Sequence, residues 1–184
     1  MTHTHGTEPA SPWVRRFAVL VPDGEVLDLA CGHGRHAKLF AEAGHAVLAV
    51  DRDAAALSSL TQPGIVTQQA DLEGGNPWPF RGNRFAGIVI TNYLHRPLFP
   101  HIVDSLAPGG VLLIETFAEG NGQFGKPSSP DFLLASGELL AVAQNLRVLA
   151  YEDGYVESPR PALVQRLCAI KPPVPEDFMR RRLI

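Results

Sequence analysis

Apolar residues follow two rhythms along this chain. Short apolar runs end in a glycine or an acid, and between them apolar residues recur at three- and four-residue spacing. The runs predict strands at Val26 to Leu29, Ala46 to Val50, Ile65 to Gln69, Phe85 to Thr91, Val111 to Phe117, Leu146 to Val156 and Ala162 to Ile170. The spaced residues predict helices. Ser11-Pro12 reads as N-cap and first helical position before the stripe Trp13, Phe17, Leu20, Val21. Ala37, Phe40 and Ala41 mark a second helix stopped at Gly44, and Asp53 caps a third from Ala54 to Leu60. Leu98, Phe99, Ile102, Val103 and Leu106 make a fourth stripe, and Ser136 to Ala143 a fifth helix. Strands alternating with helices imply a parallel sheet covered on both faces. The fold expected is α/β: Rossmann-like, doubly wound, a mostly parallel seven-stranded sheet with a C-terminal antiparallel hairpin strand.

Two connections break the alternation. Glu73 to Arg84 is a loop of Gly, Pro and Asn holding Trp78 and Phe80, which are expected to pack beneath it. Ala118 to Pro130 is a second glycine-rich loop leaving a strand end, where ligands sit in open α/β sheets. It is expected to be a mobile cover, with Phe124 pressing inward. One domain is expected over residues 12–171, with tails at 1–11 and 172–184.

The 184 residues suffice for one such domain. A net charge of −3 gives no global attraction to nucleic acid or to an anionic membrane. Arg180-Arg181-Arg182, His3 and His5 read as solvated tail residues, and no metal site is expected. Cys31 and Cys168 lie far apart in sequence and read as buried reduced thiols. No apolar run reaches ~20 residues and no leader peptide is visible, so a soluble cytoplasmic protein is expected.

The chemistry centres on Val26-Leu27-Asp28-Leu29-Ala30-Cys31-Gly32-His33-Gly34-Arg35-His36-Ala37. Here a strand ends in an acid, passes through a glycine turn and opens a helix, whose free N–H groups attract anions. In one frame, Gly32 to Ala37 fits the dinucleotide fingerprint. In the other, Asp28-x-Ala30-x-Gly32-x-Gly34 resembles motif I of the class I S-adenosylmethionine (SAM)-dependent methyltransferases. Alanine then stands in the first glycine position, as a turn residue that needs no positive φ. Asp28 separates the frames, because a carboxylate would repel a dinucleotide pyrophosphate. Asp51, at the second strand end, is placed to accept ribose hydroxyls in either cofactor.

From Val26 to about Ile170 the chain is similar to a small class I SAM-dependent methyltransferase, of the tellurite-resistance TehB-like branch. Leu27 to Arg35, Ala70-Asp71-Leu72, the strand running into Leu94 and Ser136-Gly137-Glu138-Leu139 carry the likeness. The resemblance implies SAM as cofactor, S-adenosylhomocysteine (SAH) as product and a small-molecule acceptor. It also implies a binding set. Asp28 faces the charged methionine end, Asp71 takes the adenine amino group, and the Leu72 N–H meets the ring. Ala30, Gly32, Gly34, Arg35, Asp51, Arg52, Thr91 and Asn92 complete the set. Tyr93, His95, Arg96 and Glu115 are the catalytic candidates on the acceptor side. His95 is the preferred base, since an unperturbed imidazole titrates near ~6.5. A SAM- or SAH-binding protein without catalysis and an NAD-linked oxidoreductase are the alternatives.

Overall fold

The computed structural model describes residues 8–174 and 176. The tail residues His3, His5 and Arg180 to Arg182 lie outside that range. Helix α1 (Pro12–Phe17) is capped by Ser11, whose side chain accepts the Trp13 N–H. It tightens into one 3-10 turn at Ala18–Leu20 instead of continuing as a single helix to Val21. There follow β1 (Glu25–Leu29), α2 (Arg35–Glu42), β2 (Ala46–Asp51), α3 (Ala54–Ser58), β3 (Ile65–Gln69) and β4 (Phe85–Thr91). Then come α4 (Phe99–Ser105), β5 (Leu106–Phe117), α5 (Glu138–Val142), β6 (Arg147–Val156) and β7 (Ala162–Ile170).

The strands form one seven-stranded sheet in the order β3-β2-β1-β4-β5-β7-β6. The first five in that order are parallel, and β7 runs antiparallel between β5 and β6. The apolar runs of β1, β2, β4 and β5 supply both faces, as strands covered on both sides must. Leu27, Val50, Ile88 and Ile114 join one core with α4 and α5 residues such as Ile102 and Leu139. Val26, Ala49, Val89 and Leu113 join the other with Trp13, Phe40 and Leu57 of α1 to α3.

Among the five parallel strands the alternation of strand and helix fails once. No helix connects β3 to β4, because Gly74-Gly75-Asn76-Pro77 and Pro79 cannot sustain one. Trp78 and Phe80 do a helix's covering work instead. Both pack on the first core, and the Trp78 Nε1–H donates to Ser105 Oγ at 2.8 Å. Strand β5 begins at Leu106, ahead of the expected Val111, and carries Pro108-Gly109-Gly110 as an irregularity within it. A Cβ on Gly110 would meet the carbonyl oxygens of Ala107 and Phe85 at 2.8 Å.

The N-terminal tail ends earlier than its polar composition indicated. Ala10 and Ser11 are buried against the body of the domain.

Candidate cofactor and acceptor site

The chain leaves β1 toward β2 on one side, while β4 lies on the other. The C-terminal ends of β1 and β4 therefore border the crevice where open α/β sheets bind ligands.

The glycine turn fills the mouth of that crevice. Ala30, Gly32 and Gly34 all take positive φ, at 53°, 53° and 66°. The expectation that alanine stands at 30 because the turn needs no positive φ is therefore corrected. A left-handed L-residue other than glycine carries roughly 1–2 kcal/mol of strain. The Cys31 N–H donates to the Val50 carbonyl at 3.0 Å and the Gly34 N–H to the Cys31 carbonyl at 2.9 Å, which holds the turn in place. The two glycines serve different ends. A Cβ on Gly34 would lie 2.5 Å from Leu60, so this glycine permits packing. A Cβ on Gly32 would meet nothing within 4 Å, so that face of the turn is open to a ligand.

Each of the first three parallel strands delivers an aspartate. Asp28 is 1% exposed and lies beneath the turn, where Oδ2 accepts the Ala37 N–H at 2.8 Å. It thus supplies, from β1, the cap that α2 lacks locally at Gly34. Burial pushes its pKa up to about 7, partly opposed by the Ala37 bond and by Arg35. Asp51 accepts the Gly32 N–H on Oδ2 at 2.7 Å and the Asp53 N–H on Oδ1 at 2.9 Å. Both of its oxygens are fixed, and each retains acceptor capacity. Asp71 accepts the Glu73 N–H at 3.0 Å, which folds the backbone after β3 into a tight turn.

Ala30, Asp51, Arg52, Asp71, Leu72 and Tyr93 line a cavity of about 120 Å³ among these groups. A second cavity, of about 290 Å³, shares Ala70, Asp71 and Leu72 and extends under Pro77, Trp78 and Leu98. Burial first, and then the negative charge of the nearby Glu73 carboxylate, hold the proton on the Tyr93 phenol.

On the acceptor side the structure ties up much of what the sequence offered. Asn92 turns the chain after β4 with a φ of 55°, its N–H donating to the Glu115 carbonyl at 2.9 Å. Arg96 donates to both oxygens of Glu138, at 2.7 and 2.9 Å, and to the carbonyls of Asp131 and Leu133. Its guanidinium clamps the segment before α5 onto the end of β4. Glu115 lies 2.6 Å from Arg166, which also meets Glu152 at 2.9 Å and covers the Trp13 ring. The His95 ring, half-buried, makes no hydrogen bond among the described residues. Phe124 does not press inward. It is 41% exposed and packs on Tyr155 of the edge strand β6, while Asn121 pins its loop to Pro127 and Leu163.

One residue of the site escaped the sequence reading. His36 is 1% exposed and sits between Ser11 and Thr91. Its place four residues before Phe40 puts it on the apolar stripe of α2, the one mark it carried in the sequence.

Residues 26–110 match the model of the family described as "Methyltransferase domain". Strand order and structural likeness together define the fold, which is that of the class I SAM-dependent methyltransferases, and the family match over residues 26–110 is in keeping with it. Within that class it resembles TehB from Haemophilus influenzae, with a TM-score of 0.72 and 21% identity over 86% of this chain and 61% of that one. The 1,6-didemethyltoxoflavin-N1-methyltransferase of Burkholderia thailandensis, solved with SAH bound, is similar too. It gives a TM-score of 0.61 and 20% identity, over 84% of this chain and 74% of that one. In sequence, the chain is 34% identical over 117 residues to trans-aconitate 2-methyltransferase of Methylobacterium nodulans, covering 59% of this chain and 44% of that protein. The chain thus spans less than two thirds of both that protein and TehB. The antiparallel β7 and the family match set the dinucleotide frame aside.

Proposed function

We propose that this chain transfers a methyl group from SAM to a small-molecule acceptor. The observation that carries the reading is the open glycine turn at Gly32 bordered by Asp51 and Asp71, with a cavity between them. The residues suit the cofactor. Gly32 leaves room for a ligand against the backbone, and Asp51 holds two oxygens ready for ribose hydroxyls. Asp71 and the backbone of Leu72 are placed for an adenine edge, with Arg52 and Tyr93 lining the same cavity. Asp28, Ala30, Gly34, Arg35, Thr91 and Asn92 surround the methionine end in this reading.

SAM, when bound, would supply an activated sulfonium methyl: the acceptor's lone pair would bond to the methyl carbon as its bond to sulfur breaks, with SAH leaving as a neutral thioether. The protein's part is alignment, which is worth ~7–11 kcal/mol of such a barrier. Tyr93 narrows the approach, and the Arg96 clamp fixes the wall beside it. His95 is the proton acceptor where one is required, its ring making no hydrogen bond to any other described residue. Arg96 and Glu115 act by holding that wall and the α1 face rather than by touching the acceptor. Two relatives named for small acceptors, trans-aconitate and 1,6-didemethyltoxoflavin, support a small molecule here. Among the described residues no helix is long and apolar enough to cross a membrane, which accords with a cytoplasmic setting.

Calorimetric titration with SAM, SAH and NAD tests the cofactor. Turnover is then followed on trans-aconitate and on panels of thiols, oxyanions and heterocycles. Binding of SAH with methyl transfer to one of these is expected. Binding without transfer would favour the non-catalytic reading, and binding of NAD alone would overturn both.

A further inference from the structure

The Ser11 backbone N–H lies 3.2 Å from His36 Nε2. A backbone amide can only donate, so Nε2 must be bare. An imidazole ring keeps at least one N–H, which places the proton on Nδ1. Nδ1 is 3.4 Å from Thr91 Oγ1. The threonine oxygen therefore accepts, and its own hydrogen is free to donate elsewhere. No described residue takes it. Thr91 closes β4 at the crevice, next to the left-handed Asn92.

We propose that His36 is a positioning residue: it fixes the Thr91 hydroxyl as a donor to the cofactor, under the control of the docked segment Glu8 to Ser11. The proposal rests on the reading of this crevice as a SAM site. The segment is held at both ends. Arg35 pairs with Glu8 at 3.1 Å and donates to the Pro9 carbonyl, and Ser11 engages His36. Burial first, and then the charge of Arg35, push the His36 pKa down to about 3, so the ring stays neutral. Without the Ser11 N–H, either nitrogen could carry the proton. A bare Nδ1 would draw the Thr91 hydrogen toward the ring and away from the crevice.

The test combines nitrogen-15 NMR of the His36 ring with calorimetric titration of SAH. The full chain is expected to show the proton on Nδ1. Thr91→Val and His36→Leu should each weaken SAH roughly tenfold, as loss of one good hydrogen bond does. Their combination should be no worse than either alone. His36→Asn keeps an N–H near the Nδ1 position and should stay within about twofold of the parent, a rescue that simple packing at His36 would not give. Ser11→Pro suits the φ of −50° at that position, removes the donor and should release the tautomer. A proton on Nε2, an unchanged affinity in Thr91→Val, or additive losses in the double variant would overturn the proposal. A parent chain that binds no SAH overturns the cofactor reading itself, and this proposal with it, whatever the tautomer.

Discussion

The ends of β1 to β3 and the ends of β4 and β5 use charge in opposite ways. Among the described residues Asp28, Asp51 and Asp71 accept only backbone N–H groups, so no described side chain competes for their remaining oxygen capacity. Glu115 and Arg96 are joined to Arg166 and Glu138, partners 51 and 42 residues away in sequence. The first region bonds its carboxylates to backbone groups 2 to 19 residues away, which in the proposed reading leaves them for a ligand of fixed chemistry. The second spends its charges holding loops and strands, which leaves few groups to meet an acceptor. A cofactor half can therefore be nearly complete while the acceptor half reads as scaffold.

The contrast is broken most severely at Arg166. Arg166→Ala leaves Glu115, only 12% exposed, without its cation. Breaking a buried pair from one side costs about 3–5 kcal/mol. We expect that loss in urea unfolding, with SAH affinity of the folded protein unchanged. A weakened SAH affinity would place Arg166 in the cofactor half.

Asp28 gives the next effect. Its folded pKa of about 7 lies above the ordinary carboxylate value, so the native chain holds a proton that the unfolded chain releases. That contribution is fully present below pH ~4 and is lost as pH rises through about 7, roughly 4 kcal/mol over the window. Asp28→Asn should flatten this slope in unfolding measured from pH 4 to 8. A slope equal to the parent's would assign the proton elsewhere.

Asp51→Ala should weaken SAH at least tenfold, about 1.4 kcal/mol, by removing the acceptor for two hydroxyls. It also frees the Gly32 N–H, so a small loss of melting temperature is expected alongside. Unchanged calorimetry would remove Asp51 from the site.

The smallest effect is at Ala30. Glycine there relieves the left-handed strain but restores chain entropy, for a net gain of about 0.5–1 kcal/mol. A lower melting temperature in Ala30→Gly would show that the alanine methyl packs usefully.

What was legible in the sequence follows the same divide. The strands of the sheet, the Ser11 and Asp53 caps, and the insertion of β7 could all be read from local spacing and from the family likeness. The aspartates declared themselves by standing at strand ends. The Arg96 clamp and the Glu115 pair could not be read, because each depends on a partner brought near only by the finished fold. His36 was hidden for another reason: a histidine on an apolar stripe looks like filling until its two neighbours are known. Phe124 misled because an aromatic in a glycine loop shows no direction in sequence. The register of β6 and β7 turns it outward to Tyr155.

The place of β7 has a consequence for how the domain assembles. Strand β6 precedes β7 in the chain, yet its sole sheet neighbour is β7. It cannot join the growing sheet until residues 162–170 have threaded in beside β5. Pairings over such separations pay loop-closure entropy before any bond rewards them, so the hairpin docks late and as one piece. Opening should run in reverse: β6 and β7 peel away together while β1, β2 and β4 hold. Hydrogen exchange would then show the β6 amides sharing the protection of β7, and both giving way before the parallel strands that carry Asp28 and Asp51.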